Sequence, residues 1–502
     1  MIPVALVLAL FGGGPAAHQE PVVATHYFCW YRWPDEHFDA LGQHFPAPER
    51  VDWSDPGWHE RQFRDMAACG IDVALMVWWG APGAYDRPGL RFSRGSLAPM
   101  LAAWRRLRRA GKPAPAIGLF YDTTTLRNGT RGVEPAGAGA DLTTAEGLEL
   151  FTRTVTDFYA ELPPEAWGRL DGRPLVVLYS AGFAARWDQG LGEHLRDAFA
   201  ARFPGERPLL VADTSWGRIG QDLSCQWGTA LDGPWVGDGV VQLGPGYDDR
   251  PVPGRHTPVR EREDGAFYAF GWQAALRARP RLVLIETWNE FHESTGIAES
   301  EEYGRRYLDL TREWVARLRR EDDPGPPIVL RHPQPLPRPD LSWGEEAAGA
   351  ASVVADFAAP ERSLGLRPVA VADGPFERAG GALRSRGPIA GGISYLYFQV
   401  SDHWRFDQAG DFELVIEQSS GPGLGVQYDS ARDEPPLHGA YAPAEPAGPP
   451  ADLSGGGRRW VFHLPGARLA DRENGGADFR LVLRDAPVAV RRLELRPRAP
   501  SR

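Results

Sequence analysis

From residue 24 to 320, short apolar runs alternate with longer amphipathic ones, and few folds accept that rhythm. Strands are predicted at 25–30, 72–78, 116–121, 174–179, 209–213, 231–235, 240–243 and 282–285. Helical periodicity fills most of the intervals, at 56–69, 97–110, 144–161, 191–202 and 265–278, and a last helix at 303–319 follows the final strand. Such alternation implies a parallel sheet covered by helices. Eight strands over roughly 300 residues fit a (β/α)8 barrel, a TIM-like α/β fold. The expected barrel covers residues 21–322.

Residues 323–344 are rich in proline and polar side chains and read as a semi-rigid linker. Beyond it, alternating strand patterns return at 395–400, 412–417, 425–428, 460–464, 479–484 and 488–495, broken by Gly and Pro. That spacing predicts an all-β sandwich over 345–502. Its expected role is structural, with carbohydrate binding as the alternative. Trp343, Trp404 and Trp460 are either stacking platforms or core.

Residues 2–12 are apolar and residues 13–17 small, an arrangement resembling a secretory signal without its positive leader. A signal segment over 1–20 would make the protein secreted, periplasmic or displayed at the cell surface. The run is too short to span a bilayer, and no other segment qualifies. The net charge of −11 argues against nucleic acid or an anionic membrane as partner. Cys29, Cys69 and Cys225 give no disulfide framework and no metal-ligand spacing. Buried free thiols are expected at Cys29 and Cys69, although one bridge remains open if the chain is exported. No metal, no cofactor and a monomeric state are expected.

The ends of the expected strands carry the chemistry. Trp30 and Tyr31, Trp78 and Trp79, Asp122, Asp213, Trp235 and Tyr247 all fall where a barrel builds its active site. Indole faces stack on sugar C–H surfaces while carboxylates and amides bind hydroxyls, so the expected ligand is carbohydrate. The eighth strand runs into Glu286, Trp288, Asn289, Glu290, His292 and Glu293. Crowding carboxylates at the end of one buried strand costs desolvation and repulsion, which a fold tolerates where chemistry needs it. If 290–293 were extended, Glu290 and Glu293 would face opposite sides. In a helical turn their Cβ atoms would lie roughly 5–6 Å apart, near the ~5–5.5 Å carboxyl separation of retaining glycosidases.

The stretch from Trp288 to Ile297 resembles the signature of glycoside hydrolase family 99. Supporting similarities are Tyr27 to Tyr31, Ala68 to Asp72 leading into Val77 to Trp79, and Gly244 to Tyr247. The resemblance spans residues 24–320. It implies an endo-acting α-mannosidase-like hydrolase in which Glu290 and Glu293 carry catalysis. In the mechanism it implies, Glu290 draws the proton from the sugar's own 2-hydroxyl, and a 1,2-anhydro sugar forms. Glu293 protonates the leaving oxygen and then activates water. Asn289, His292 or the Trp288 N–H are the expected holders of an ionised Glu290. One departure is Ser294-Thr295-Gly296-Ile297, where the family often has Gly-Thr-Gln-Ile. Glu286 is either a further cleft acid or a structural one paired with a barrel arginine. Two other functions stay open, a carbohydrate-binding or structural protein without catalysis and a surface-polysaccharide biosynthesis protein on the same barrel.

Overall fold

The computed structural model describes residues 20–80, 83, 90–128, 139–371, 374–386, 393–432, 439–484 and 487–498. The signal-like segment lies almost wholly outside them, as do residues 129–138. The chain divides into two compact units, one of residues 1–253 and 260–333, the other of 254–259 and 334–502.

In the first unit eight parallel strands follow one another around a sheet: β1 (Val22–Tyr27), β2 (Val73–Trp78), β3 (Ala116–Tyr121), β4 (Arg173–Leu178), β5 (Leu209–Asp213), β6 (Leu223–Cys225), β7 (Val240–Leu243) and β8 (Leu282–Ile285). The hydrogen-bonded order is β7-β8-β1-β2-β3-β4-β5-β6, a barrel that closes except for the missing ladder between β6 and β7. Every residue of β2, β5, β7 and β8 is buried, as strands covered on both faces require. The covering helices are α1 (Pro56–Ala68), α2 (Leu97–Arg109), α3 (Ala145–Ala160), α4 (Leu191–Arg202), α5 (Ala266–Ala278) and α6 (Arg306–Arg319). Helix α1 begins on Asp55, whose carboxylate accepts from the Gly57 and Trp58 amides, with Pro56 in the first turn.

The sixth strand departs from expectation. It lies at Leu223–Cys225, three residues with a central serine, and offers no apolar run to recognise. Residues 231–235 instead contribute to a one-turn helix, Thr229–Asp232, bracketed by Gly228 and Gly233 at φ 98° and 112°. Trp235 belongs to a two-residue strand, Trp235–Val236, lying antiparallel on β7. The proline-rich stretch is also not a free tether. The Gln273 amide of α5 donates to the carbonyls of Pro324 and Pro326 and accepts from the Ile328 amide. Glu263 accepts from the Arg331 and His332 amides. All three cysteines are free and buried.

The second unit is an antiparallel β-sandwich. Its strands are β9 (Val353–Asp356), β10 (Leu366–Val369), β11 (Phe376–Ala379), β12 (Ala382–Ser385), β13 (Ile393–Val400), β14 (Gly410–Ser420), β15 (Leu424–Tyr428), β16 (Ala442–Pro446), β17 (Arg458–Ala467), β18 (Phe479–Arg484) and β19 (Ala489–Pro497). One layer runs β10-β13-β18-β15 and the other β17-β14-β19-β12-β11, with β16 pairing both. Alternate residues such as Leu414 and Ile416, Leu481 and Leu483, and Leu493 and Leu495 fill the core. Trp404 is part of that core, and its Nε1 donates to the Ala350 carbonyl. Trp460 is half-buried and bonded to Gln418, while the Arg367 guanidinium lies 3.9 Å from the Trp343 ring.

The sandwich also buries acids. Asp478 accepts from the Val400 and Asp471 amides, and Asp402 from the Asp340 amide. One oxygen each of Asp402 and Asp471, Oδ1 in both, accepts no hydrogen bond. Burial pushes the Asp402 carboxyl up to about 6. Burial, followed by the charges of Asp478 and Asp402, pushes Asp471 up as well.

Candidate active site

Strand β8 is held on both edges, by β7 and by β1, so Ile285 ends at the C-terminal mouth of the barrel. The chain then loops out and is clamped by its own backbone. The Thr287 amide donates to the Thr295 carbonyl at 3.0 Å, and the Ile297 and Ala298 amides return to the Trp288 carbonyl at 2.9 and 2.8 Å. Inside this clamp Thr287 Oγ1 accepts the Glu290 amide at 2.8 Å, and residues 291–294 form a turn. The turn, not an extended strand, is therefore the geometry that joins Glu290 to Glu293.

Glu290 is 4% exposed. Its Oε1 accepts two hydrogen bonds from His292, from the amide at 3.1 Å and from Nδ1 at 2.8 Å. Its Oε2 is buried and accepts none. Burial works against a charged His292, but the hydrogen bond to Glu290 and that carboxylate's charge outweigh it, so His292 titrates above an ordinary histidine. The Tyr31 ring stacks on His292 at 5.7 Å, and its hydroxyl donates to the Asn289 carbonyl and accepts from the Phe291 amide. Glu293 is half-buried on the same turn, and its carbonyl accepts the Asp248 amide at 2.9 Å. Burial pushes Asp122 up to about 6, with Glu290's charge adding to the rise. The Tyr179 hydroxyl is raised by burial and then by the charges of Asp122, Glu293, Glu286 and Asp213. These acids thus share one electrostatic neighbourhood at the strand ends.

Trp30 and Trp79 join this neighbourhood. Trp30 stacks on His37 at 4.7 Å and meets His292 and Trp79 at 6.0 Å each. Trp79 Nε1 donates to Thr124 Oγ1. Other expected cleft residues are placed elsewhere. Trp78 packs on Phe158 of α3 behind the sheet. Trp288 is 1% exposed, and its Nε1 donates to Gln62 of α1 at 2.7 Å, so it does not hold Glu290. Nor does Asn289, whose amide accepts from the Phe28 N–H and donates to the Phe28 carbonyl, both at 2.9 Å. It serves as a surrogate strand partner beyond the end of β1. Trp235 lies half-buried on β7's outer edge, and the Tyr247 hydroxyl donates to Asp249.

Asp213 and Glu286 are saturated. Asp213 accepts from the Ser215 amide and hydroxyl and from the Trp227 amide. Glu286 accepts from the Gly228 and Thr229 amides, from Thr229 Oγ1 and from Gln242 Nε2, all within 2.9–3.1 Å. These donors stand where a barrel arginine was expected. Burial still pushes the Glu286 carboxyl up to about 7. Sequence reasoning missed His26, Phe120, Tyr179 and Trp227, which meet as an aromatic floor. Tyr179 was within reach as the last residue of the strand expected at 174–179, and it directly follows the observed Arg173–Leu178. Trp227 was lost with the sixth strand. Among the described residues no group of three or more His, Cys, Asp or Glu is arranged to hold a metal ion.

A family profile described as a domain of unknown function, DUF5010, matches residues 16–323. The chain belongs to the DUF5010 family. This DUF5010 chain is also similar to the zebrafish (Danio rerio) glycoprotein endo-α-1,2-mannosidase-like protein, at 25% identity over 61% of this chain and 73% of that one. A mouse (Mus musculus) glycoprotein endo-α-1,2-mannosidase is 32% identical over 97 residues, covering 16% of this chain and 21% of the relative. Among solved structures, a GH99 endo-α-mannosidase from Bacteroides thetaiotaomicron aligns with a TM-score of 0.44 at 16% identity, covering 60% of this chain and 98% of that one. The resemblance read from residues 288–297 and the curated relatives thus point to the same enzymes. No helix among the described residues is long and apolar enough to cross a membrane.

Proposed function

We propose that this protein is a glycoside hydrolase that cleaves α-linked, mannose-containing glycans with retention of configuration, using Glu290 and Glu293. The observation that carries this reading is the asymmetry of Glu290. Two N–H groups of His292 fix Oε1, which leaves the buried Oε2 as the one oxygen open to a substrate proton. A carboxylate oriented in this way is suited to act as a base.

In the reaction, Oε2 of Glu290 takes the proton of the sugar's 2-hydroxyl. The freed oxygen attacks the anomeric carbon while Glu293 protonates the departing glycosidic oxygen, giving a 1,2-anhydro sugar. Glu293, now a carboxylate, takes a proton from water as that water opens the epoxide, and Glu290 returns its proton to O2. Two inversions yield retention. Protonated His292 would offset the charge of Glu290 without reaching the sugar, and Trp30 and Trp79 would supply apolar surface beside it. The sandwich is read as a structural accessory domain, supported by the burial of Trp404 and the bonded Trp460. Export through residues 1–20 and a monomeric state belong to the same proposal.

The test is release of reducing ends from a panel of α- and β-linked polysaccharides, with Glu290→Gln/Glu293→Gln as control. Release from an α-mannan that vanishes in the control supports the reading. Release that survives in the control removes both glutamates from the mechanism. Retention on a polymer without release would make the barrel a binding protein.

A further inference from the structure

We propose that Trp227 is the sugar-stacking platform that sets specificity in this cleft, and that Asp213 and Glu286 are the positioning residues that hold it. The inference rests on the glycan-cleaving reading and adds to it a ligand contact that neither the signature nor the strand pattern pointed to.

Three consecutive amides are captured by carboxylates from two strand ends. The Trp227 amide donates to Asp213 Oδ2 at 2.9 Å, the Gly228 amide to both oxygens of Glu286, and the Thr229 amide to Glu286 Oε2 at 3.1 Å. Spending two buried acids on one loop costs desolvation, and the loop's main chain gains charge-assisted bonds in return. What the loop presents is the indole. One face of Trp227 lies on Phe120, with centroids 5.3 Å apart and planes 11° from parallel. Tyr179 and His26 meet it edge-on at 5.2 and 5.1 Å. The ring is wedged by three aromatic neighbours yet stays half-buried, not sealed in the core.

The indole N–H is the second observation. Trp79, Trp167, Trp187, Trp216 and Trp288 all spend Nε1 on a protein acceptor. Trp227 Nε1 has no such acceptor among the described residues, and it is not sealed from solvent as Trp58 and Trp272 are. A rigid, partly open indole with a spare donor matches a pyranose, which offers a C–H face and rim hydroxyls together. Its neighbour Tyr179 feels the charges of Asp122, Glu293, Glu286 and Asp213, so the platform lies among the strand-end acids. Trp30 and His37 border Glu290 through His292 instead.

The experiment uses the full chain in a Glu290→Gln background and measures binding of α-1,2-linked manno-oligosaccharides by calorimetry and by tryptophan fluorescence. Trp227→Ala is expected to weaken binding about tenfold, ~1.4 kcal/mol. Trp227→Phe is expected to recover most of it while abolishing the fluorescence change. In the active enzyme Trp227→Ala raises KM more than it lowers kcat, and Glu286→Gln does the same to a smaller degree. Unchanged affinity in Trp227→Ala, with its melting temperature retained, overturns the platform and leaves the hydrolase standing. Binding that depends on Trp227 without any sugar release from the wild type overturns the hydrolase and leaves the platform. Absence of binding to every manno-oligosaccharide overturns the platform for this sugar class.

Discussion

Both units of this protein bury carboxylates, and they differ in what surrounds the oxygens left open. At the barrel mouth each deeply buried acid is supplied with donors: Asp213 by three, Glu286 by four, and Glu290 by two on a single oxygen. The only barrel carboxylate oxygen that is buried and unbonded among the described residues is Oε2 of Glu290. In the sandwich, Asp402 and Asp471 both leave Oδ1 unbonded, and the charge of Asp402 adds to the burial that raises Asp471. Burial of an acid alone is therefore a poor sign of catalysis. An open oxygen alone is no better a sign, since Asp402 also bonds one oxygen, to the Asp340 amide, and leaves the other open; Glu290 differs in that its bonded oxygen is held by His292.

The largest expected effect separates the two sets directly. Glu290→Gln or Glu293→Gln should lower turnover at least ~10²-fold, the scale of general acid–base catalysis. The equivalent amide change at Asp402 should leave it untouched, as steady-state assays on the three variants would reveal. A similar loss at Asp402 would erase the distinction.

Glu286 gives a pH-dependent contrast inside the barrel. Its folded value of about 7 lies above the ordinary 4.5, so the stability tied to its protonated form is complete below about pH 4.5. That contribution is lost as pH rises through 7. Melting temperature measured from pH 4.5 to 8 should fall less steeply in Glu286→Gln than in the wild type. A parallel pair of curves would mean that Glu286 stays ionised throughout.

Asp471→Asn should act in the other direction from most substitutions. Removing an acid whose ionisation is opposed by burial and by the charges of Asp478 and Asp402 should raise the melting temperature at pH 8 by roughly 2–4 °C, the response of a domain of 150–250 residues to ~1 kcal/mol. At pH 4 the gain should shrink, because the unfolded chain then also holds much of the proton that the folded one keeps. A loss of stability at pH 8 would instead mean that the pair is matched by a positive partner.

The smallest effect concerns a residue of the signature itself. Trp288→Phe removes the bond to Gln62 and should cost about 0.5–1.5 kcal/mol in stability, with KM unchanged. A raised KM would return Trp288 to the cleft.

Much of this was open to sequence reading, for identifiable reasons. Seven of the eight barrel strands carry apolar runs long enough to register, and helix α4 falls at Leu191–Arg202 as its periodicity predicts. The carboxylate pair stood out because Glu290 and Glu293 follow a fully buried strand. The roles of Trp288 and Asn289 were misjudged because strand parity stops at Ile285, after which the chain loops and each side chain follows its own bond. Trp227 was invisible for a related reason. Its strand, Leu223–Cys225, is too short and too polar to form a pattern, and its importance lies in amide bonds that composition does not encode.

The missing ladder between β6 and β7 bears on how this barrel would breathe. A sheet curled round until one pair of edges fails to join has a built-in line of least resistance, unlike a cylinder bonded all the way round. Local openings begin where backbone bonds are fewest, so the amides of Leu223–Cys225 should exchange with solvent ahead of those in β1, which is paired on both edges. Trp227 lies two residues beyond that line, so a widening there would shift one wall of the cleft while the anchored β8 loop stays in place.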